Sequence, residues 1–220
     1  MLSGWQRPET PPSLHAGELH LWRASVDAPE PVGAFPRLSG AEIARAAKLR
    51  DPRDRRRWTA AHTRLRLLLG GYLDMPPEEV EFRSGVRGKP RVLPAHGRSV
   101  HFNMSRAGGV ALFGFSLDRE VGVDIEQERH WIDVLAVADL ALDPAAVATL
   151  RRAPSAERVA LFTRLWVRRE ALVKCTGAGI TAPSDEVTPD VAVYDLEAGP
   201  GFAAAAATGG DPELVRLWLS

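Results

Sequence analysis

Residues 100–126 read VHFNMSRAGGVALFGFSLDREVGVDIE, and their pattern predicts β-structure in the middle of the chain. It contains three short apolar segments with strand character, at residues 100–104, 110–115 and 121–125. The Ala-Gly-Gly and Leu-Asp-Arg sequences between them are typical of turns. Three short strands joined by such turns predict an antiparallel meander near the middle of the chain.

A long helical pattern lies on each side of these strands. In the first, Asp51 and Pro52 suit the N-cap and the first helical position, and apolar residues then recur at offsets of three and four. This predicted buried stripe consists of Trp58, Ala61, Leu65, Leu68 and Tyr72. The second pattern covers residues 155–175, with a stripe of Val159, Phe162, Trp166 and Val173.

The order of the remaining elements suggests two similar halves. Shorter helices are predicted at 41–50, 132–140 and 144–152, and further strands at 18–23, 191–195, 202–207 and 214–219. Helix followed by strands, twice over, predicts an α+β fold with two lobes related by a pseudo-twofold axis, each a long helix on a small antiparallel sheet. We expect an N-terminal arm over 1–16, an N-terminal lobe over 17–110 and a C-terminal lobe over 111–220.

Composition excludes several classes of protein. Lys plus Arg and Asp plus Glu both number 28, so no field of one sign should draw the chain to nucleic acid or an anionic membrane. The single cysteine, Cys175, excludes an internal disulfide framework and a multi-cysteine zinc site, and suits a reducing cytosol. Without a neighbouring His, we expect an inert buried thiol. The first twelve residues resemble neither a signal peptide nor a membrane anchor.

The first candidate for chemistry is the segment Gly122-Val123-Asp124-Ile125-Glu126. Because side chains alternate along a strand, Asp124 and Glu126 share one face while Val123 and Ile125 face the other way. Adjacent carboxylates repel each other, and a divalent cation offsets that cost; two hard oxygen ligands suit magnesium better than zinc. A simply solvated acidic strand end explains the same pattern.

The second candidate is the helical segment 166–174, WVRREALVK. Trp166, Glu170 and Lys174 are four residues apart, so they lie along one helix face, with the carboxylate between an aromatic ring and a cation. This face suggests a helix that crosses beneath a cleft. An ordinary surface salt bridge between Glu170 and Lys174 is the competing interpretation.

Cations that could hold phosphate are scattered along the chain. They are Arg57, Arg66, Lys89 within Gly88-Lys89-Pro90, and Arg106. Arginine can grip a phosphate with two hydrogen bonds, and lysine offers a mobile point charge. His62 could also contact phosphate, but packing is favoured. The chain has no glycine-rich phosphate loop and no His-Glu-x-x-His motif, so kinases, P-loop hydrolases and zinc proteases lack their necessary parts.

Taken together and in this order, five segments resemble the 4′-phosphopantetheinyl transferase superfamily, specifically its surfactin-synthetase type. They are Arg66 in its helix, Gly88-Lys89-Pro90, Phe102-Asn103-Met104-Ser105, Gly122 to Glu126, and Trp166 to Lys174. The resemblance runs from about residue 50 to about residue 180. Either carboxylate motif alone is a weak signal, but the two at this separation are jointly specific.

The resemblance implies a magnesium-dependent enzyme, with manganese as a possible substitute. Asp124, Glu126 and Glu170 match the family's metal-binding acids, which share the ion with the pyrophosphate of coenzyme A. Lys174 matches the lysine that contacts the phosphate of the transferred group. A serine hydroxyl is a weak nucleophile at neutral pH and needs a base, and we nominate Glu170 for that role, directly or through a metal-bound water.

The resemblance also assigns contacts with coenzyme A, together with two departures. Arg106 replaces the histidine of the family's Asn-x-Ser-His motif, and Arg169 replaces the lysine that commonly precedes the catalytic glutamate. Both exchanges keep or add positive charge. The implied coenzyme contacts are Arg57, Arg66, Gly88, Lys89, Pro90, Ser105, Arg106 and Lys174.

The implied activity is transfer of the phosphopantetheine arm of coenzyme A to a serine of an apo acyl or peptidyl carrier protein, in fatty-acid, polyketide or nonribosomal peptide biosynthesis. A cytoplasmic monomer with no nucleic-acid or membrane partner is expected. Two other hypotheses remain open. One is a magnesium-dependent phosphohydrolase that uses the same acids, and the other is a regulator that binds coenzyme A or a carrier protein after losing catalysis.

Overall fold

The structure is a computed structural model that describes residues 1–8, 12–27, 37–85, 88–177 and 190–220. The α-helices are α1 (Gly40–Ala47), α2 (Pro52–Leu73), α3 (Val134–Ala141), α4 (Pro144–Arg152) and α5 (Arg158–Thr176). The strands are β1 (Glu18–Ser25), β2 (Phe82–Ser84), β3 (Pro90–Val92), β4 (His101–Ala107), β5 (Val110–Ser116), β6 (Val121–Gln127), β7 (Val191–Leu196), β8 (Phe202–Gly209) and β9 (Leu214–Leu219). Each predicted helix and strand is present, with small shifts at its ends.

Helix α2 begins where its sequence predicts. Asp51 is the N-cap, and its side chain accepts a hydrogen bond from the backbone N–H of Arg53 at 2.7 Å, while Pro52 occupies the first turn. The helix ends at Asp74, whose left-handed backbone (φ 55°) turns the chain into the following prolines. Of the predicted stripe, all but Leu68 are buried, and Leu68 is partly buried against the same core.

The first sheet has the strand order β4-β5-β1-β9. The β4–β5 and β1–β5 pairs are antiparallel, whereas β1 and β9 are parallel, so this sheet is not purely antiparallel as expected. The last strand of the chain thus completes a sheet that the first strand begins. This sheet crosses the expected division at residue 110, since β1 and β4 lie before it while β9 and nearly all of β5 lie after it. The division itself stays a prediction.

The second sheet, of order β6-β8-β7, is antiparallel, and α5 packs on it. The predicted meander is therefore wrong for its third strand, since β6 leaves β5 and pairs with β8. The physical reason is that β6 packs on both faces: Val121 and Val123 belong to the core against the first sheet, and α5 covers the other face. The expected α+β class, with a long helix on a small sheet in each half, is confirmed.

Two glycines allow this close packing. A Cβ at Gly122 would lie 2.0 Å from the carbonyl oxygen of Ala171, so the backbone of α5 rests directly on β6. A Cβ at Gly114 of β5 would lie 2.6 Å from Cγ1 of Val121, so β6 also approaches the first sheet closely. The strand that carries Asp124 and Glu126 is therefore held between the first sheet and the helix that carries Glu170 and Lys174.

The described part of the N-terminal arm lies along one edge strand of each sheet, β9 of the first and β7 of the second. Leu2 forms a bridge with Leu196, and Gln6 forms one with Trp218 of β9. Residues 9–11 of the expected arm lie outside the described residues. None of the helices in the described ranges has the length and apolar character needed to span a bilayer.

Candidate active site at the seam between the sheets

The seam is the line along which β4, an edge strand of the first sheet, runs beside β6 of the second. Asp124 lies there and is only 3% exposed, so it is not a solvated strand end. Its Oδ1 accepts hydrogen bonds from Ser105 Oγ at 2.8 Å and Lys174 Nζ at 2.6 Å. Its Oδ2 is buried and has no hydrogen-bond partner within the described ranges. A buried carboxylate oxygen without a partner requires an explanation, and a bound cation is one that suits its charge.

Two further carboxylates lie near Asp124. We call the three, Asp124, Glu126 and Glu170, the acid cluster. Burial raises the pKa of Glu170, and the charge of Asp124 raises it further, while Lys174 and Arg169 lower it. Burial likewise raises the pKa of Glu126, with added contributions from Asp124 and then Glu170. Such effects weaken with distance, so the three carboxylates are near enough to repel one another. The structure thus brings Glu170 of α5 near Asp124 and Glu126 of β6, which lie far before it in the chain.

The acid cluster fits a hard divalent cation by its chemistry. Among the described residues, no three His, Cys, Asp or Glu side chains are arranged closely enough to hold a metal ion as they stand. The donor set is nevertheless three carboxylates, one with an unpartnered oxygen, and a divalent cation would offset their mutual repulsion. These residues could hold magnesium, and the magnesium itself stays a prediction.

Lys174 makes a different ion pair from the local one. Its ammonium lies 2.6 Å from Asp124 Oδ1 on β6, and it also donates to Ser105 Oγ at 3.2 Å. Glu170 is instead paired with its neighbour Arg169 at 3.4 Å. The competing interpretation, a surface salt bridge between Glu170 and Lys174, is therefore wrong. Lys174 instead links α5 to β6 across the seam.

Ser105 reaches the acid cluster together with a residue that the sequence analysis left without a role. Asn103 lies two positions before Ser105 on β4, so both side chains point to the same face. Asn103 Oδ1 accepts a hydrogen bond from the backbone N–H of Val123 at 3.0 Å. The same two-residue spacing that pairs Asp124 with Glu126 could have identified Asn103 from the sequence.

Arg106 lies on the opposite face of β4 and is not brought to the acid cluster. Phe102 and Met104, which share its face, pack into the core against α2. Burial lowers the pKa of Arg106, and its electrostatic neighbours are Asp54 and Arg57 near the start of α2. Arg106 therefore faces α2 and not the seam.

Arg57 and Arg66 of α2 already hold carboxylates. Arg57 donates from Nε and Nη2 to both oxygens of Asp27, at 2.6 and 2.7 Å. Arg66 is 2% exposed, pairs with Glu42 at 2.8 Å, and donates from Nη1 to the carbonyls of Pro77 and Val80. Both side chains tie parts of the N-terminal lobe together, and their role toward coenzyme A stays a prediction.

Lys89 is also occupied within the fold. Its ammonium donates to Glu120 Oε2 at 2.8 Å, to the Val121 carbonyl at 3.0 Å and to the Cys175 carbonyl at 3.1 Å. Gly88 beside it has a left-handed φ of 81°, and Pro90 begins β3. This segment joins the start of β6 to the end of α5.

Two weaker candidates have packing roles. His62 stacks on Trp58 with ring centroids 3.5 Å apart, and burial lowers its pKa to about 4. Cys175 is buried, and burial raises its pKa to about 11, so its thiol is inert near neutral pH.

An apolar cavity of about 280 Å³ opens beside the acid cluster. Glu126 lines it together with Ile132, Val134 and Val137 from the α3 region and with Phe162 and Trp166 of α5. The ring of Trp166 stacks on Phe162, with centroids 6.0 Å apart. The expected helix face of Trp166, Glu170 and Lys174 thus runs from this cavity to the seam.

Comparison with known proteins shows which family has sequences similar to this chain. Residues 120–203, which include the acid cluster and Lys174, match the profile of the 4′-phosphopantetheinyl transferase superfamily. The chain is 37% identical over 175 residues to the 4′-phosphopantetheinyl transferase HetI of Nostoc sp., covering 77% of this chain and 74% of HetI. It is 33% identical over 170 residues to slr0495 of Synechocystis sp., named as a candidate 4′-phosphopantetheinyl transferase, covering 77% and 69%.

A third relative, the 4′-phosphopantetheinyl transferase psf-1 of Bacillus pumilus, is 30% identical over 161 residues, which cover 72% of this chain and 64% of psf-1. The matches to HetI and slr0495 each cover more than two thirds of both proteins. The resemblance inferred from the two carboxylate motifs is therefore confirmed, and this chain belongs to the 4′-phosphopantetheinyl transferase superfamily.

Proposed function

We propose that this chain transfers the 4′-phosphopantetheine arm of coenzyme A to a serine of an apo acyl or peptidyl carrier protein and releases 3′,5′-ADP. The observation that carries the proposal is the acid cluster at the seam, in which Asp124 Oδ2 has no partner among the described residues and Lys174 lies 2.6 Å from Oδ1. Membership of the superfamily supports the same reaction. Fatty-acid, polyketide and nonribosomal peptide biosynthesis are the pathways that use such carriers.

Asp124, Glu126 and Glu170 would hold a magnesium ion, or manganese in its place. Such an ion supplies positive charge that draws a pyrophosphate to three carboxylates and makes its phosphorus a better electrophile. The chain contributes hard oxygen ligands on two rigid elements, β6 and α5. Because Gly122 lets the backbone of α5 rest on β6, the carboxylates from the two elements can face the same ligand.

Glu170 is the proposed base. As the serine oxygen forms its bond to phosphorus, the phosphorus–oxygen bond to 3′,5′-ADP breaks, and the serine proton passes to Glu170, directly or through water. Glu170 is held on a rigid helix beside Asp124 and Glu126, so its carboxylate is placed to take a proton from a serine brought to the same site. Lys174 offsets the negative charge that develops on the leaving nucleotide.

The apolar cavity beside Glu126 is the proposed docking point for the carrier protein. Its wall of aliphatic and aromatic side chains adjoins the acid cluster, so an apolar residue seated there would bring a neighbouring serine to the phosphorus. Trp131, at 81% exposure, and Leu140 belong to the same α3 region and offer further apolar contact. A cytoplasmic monomer without nucleic-acid partners remains the prediction for the protein as a whole.

The test is to incubate the full chain with an apo carrier domain, coenzyme A and magnesium, and to weigh the carrier by mass spectrometry. We expect a mass gain of one phosphopantetheinyl group, which a chelator prevents. An unmodified carrier together with free phosphopantetheine, formed without any carrier, would favour the phosphohydrolase. Tight binding of coenzyme A with no turnover would favour the regulator.

A further inference from the structure

Two edge strands meet at the seam without forming a continuous sheet. In the described chain β6 pairs with β8 on one side, and β4 pairs with β5 on one side. The other edge of β6 faces β4 in a buried region. Backbone groups along a buried edge need partners, because an unpaired N–H or carbonyl there is costly.

Side chains provide these partners at two points along β6. Asn103 Oδ1 accepts the hydrogen bond of the Val123 N–H at 3.0 Å, and Lys89 Nζ donates to the Val121 carbonyl at 3.0 Å. Asn103 is 7% exposed, so its hydrogen bond lies in a region from which water is largely excluded. The contact fixes the backbone of β6 one residue before Asp124.

Asn103 and Ser105 therefore act on the same target from the same face of β4. Asn103 holds the backbone that leads into Asp124, and Ser105 holds Asp124 Oδ1 at 2.8 Å. With the backbone and one oxygen both held, the remaining oxygen, Oδ2, has a defined position. This is the oxygen that has no partner within the described residues. The pair forms a support for a ligand-binding carboxylate, as outer hydrogen bonds do in metal sites.

We propose that Asn103 is a positioning residue for the reaction and orients Asp124 toward its ligand through the backbone of Val123. The inference rests on the proposed function, because Asp124 is the residue that it serves. Asn103 needs its side-chain acceptor for this role, since the group that it contacts is a backbone donor. It acts without touching the reacting atoms.

Two substitutions separate the acceptor from the shape of the side chain. Asn103→Leu keeps the branching at Cγ and removes the acceptor, whereas Asn103→Asp keeps the shape and the acceptor oxygen. Manganese binding to the full chain, measured by electron paramagnetic resonance with coenzyme A present, is read independently of transfer. We expect Asn103→Leu to weaken manganese binding roughly 10- to 100-fold and Asn103→Asp to bind at least as well as the wild type.

The control is Phe102→Leu, which changes a core residue on the opposite face of the same strand. It should lower the melting temperature and leave manganese affinity unchanged, so a loss of affinity in Asn103→Leu would not follow from instability alone.

The kcat of Asn103→Leu should fall with metal affinity, while the KM for coenzyme A at saturating metal stays within about twofold of the wild type.

Unchanged manganese affinity in folded Asn103→Leu would overturn the inference, and so would equal weakening by Asn103→Asp. If Asn103→Leu does not fold, Asn103→Ser, whose hydroxyl is too short for the same contact, is expected to weaken manganese binding in the same way, and wild-type affinity would overturn the inference. Failure of the wild type to modify any carrier would count against the proposed function instead, because manganese binding is measured without a carrier.

Discussion

Basic residues of the N-terminal lobe and acidic residues of the seam contrast in how far their charges are matched. Arg57, Arg66 and Lys89 each pair with a carboxylate, from Asp27, Glu42 and Glu120 respectively. At the seam, burial raises the pKa of Glu126 and Glu170, and the neighbouring carboxylates of the acid cluster raise it further. Each acid has one cation beside it, but Asp124 Oδ2 is buried and has no partner among the described residues.

The contrast separates charges that stabilise the fold from charges that we propose bind a ligand. A paired cation in the N-terminal lobe joins two elements and gains little from another anion. A buried carboxylate near other carboxylates lowers the free energy of unfolding. A cation that binds to such a site stabilises the folded state and offsets this loss. Substitutions should therefore reduce stability in the N-terminal lobe and activity at the seam.

The largest effect is expected at Glu170. Glu170→Gln removes both the base and one carboxylate, so the transfer rate should fall by about 10²- to 10⁴-fold. The melting temperature should hold or rise, because the substitution removes a charge that burial disfavours first and Asp124 second. Carrier modification followed by mass spectrometry measures the rate, and Glu157→Gln, at the exposed start of the same helix, is the control with wild-type rate. Near-normal transfer by folded Glu170→Gln would remove Glu170 from the mechanism.

Breaking the buried pair of the N-terminal lobe should cost stability. Arg66→Met leaves Glu42 with its hydrogen bonds from Ser39 but without a cation, and two carbonyls without this donor, and should lower the free energy of unfolding by about 3–5 kcal/mol. Urea denaturation measures this loss. Adding Glu42→Gln removes the stranded charge and should recover part of it. A loss below about 1 kcal/mol, typical of exposed pairs, would show that the pair is not structural.

Acid should also destabilise the N-terminal lobe, through His20. This residue is buried, its Nδ1 lies 2.8 Å from the hydroxyl of Tyr72, and burial lowers its pKa from 6.5 to about 4. The unfolded chain binds a proton below pH 6.5 while the folded chain does not until about pH 4, so this contribution to stability is lost as pH falls between these values.

Unfolding free energies at pH 7 and pH 5 measure the effect of His20. His20→Gln, which cannot titrate, should show a smaller difference between the two pH values than the wild type. Equal pH dependence in the two proteins would assign the acid sensitivity to other groups.

The smallest effect is expected at the pair of Arg57 and Asp27. Asp27 is 42% exposed, so water screens the interaction although its geometry is bidentate. A double-mutant cycle with Arg57→Gln and Asp27→Asn should give a coupling free energy of roughly 0.2–1 kcal/mol in urea denaturation. A coupling above about 2 kcal/mol would place this pair with the buried pair of Arg66 and erase the distinction between them.

Local signals in the sequence account for much of the fold. The Asp51-Pro52 start of α2 depends on neighbouring residues alone, and the structure has that cap. The alternation of β6 likewise predicts that Val123 and Ile125 enter the core while Asp124 and Glu126 share the other face. Val123 and Ile125 are indeed buried in the core. Patterns of this kind need no knowledge of distant residues.

Contacts between distant residues could not be predicted in the same way. The partner of β6 is β8, which lies some eighty residues later, and turn residues near 117–119 carry no information about it. Lys174 has an acid four residues before it, yet tertiary packing brings it to Asp124 instead. Arg66 looks like a surface cation in the helix pattern, and only the approach of Glu42 from α1 allows its burial.

The most direct test of the acid cluster is its geometry around an ion. Crystals grown with manganese and coenzyme A should show one anomalous difference peak at the seam, with oxygens of Asp124, Glu126 and Glu170 each within about 2.5 Å of it. A peak bound elsewhere, or one held by Asp124 and Glu126 while Glu170 turns away from it, would contradict the account.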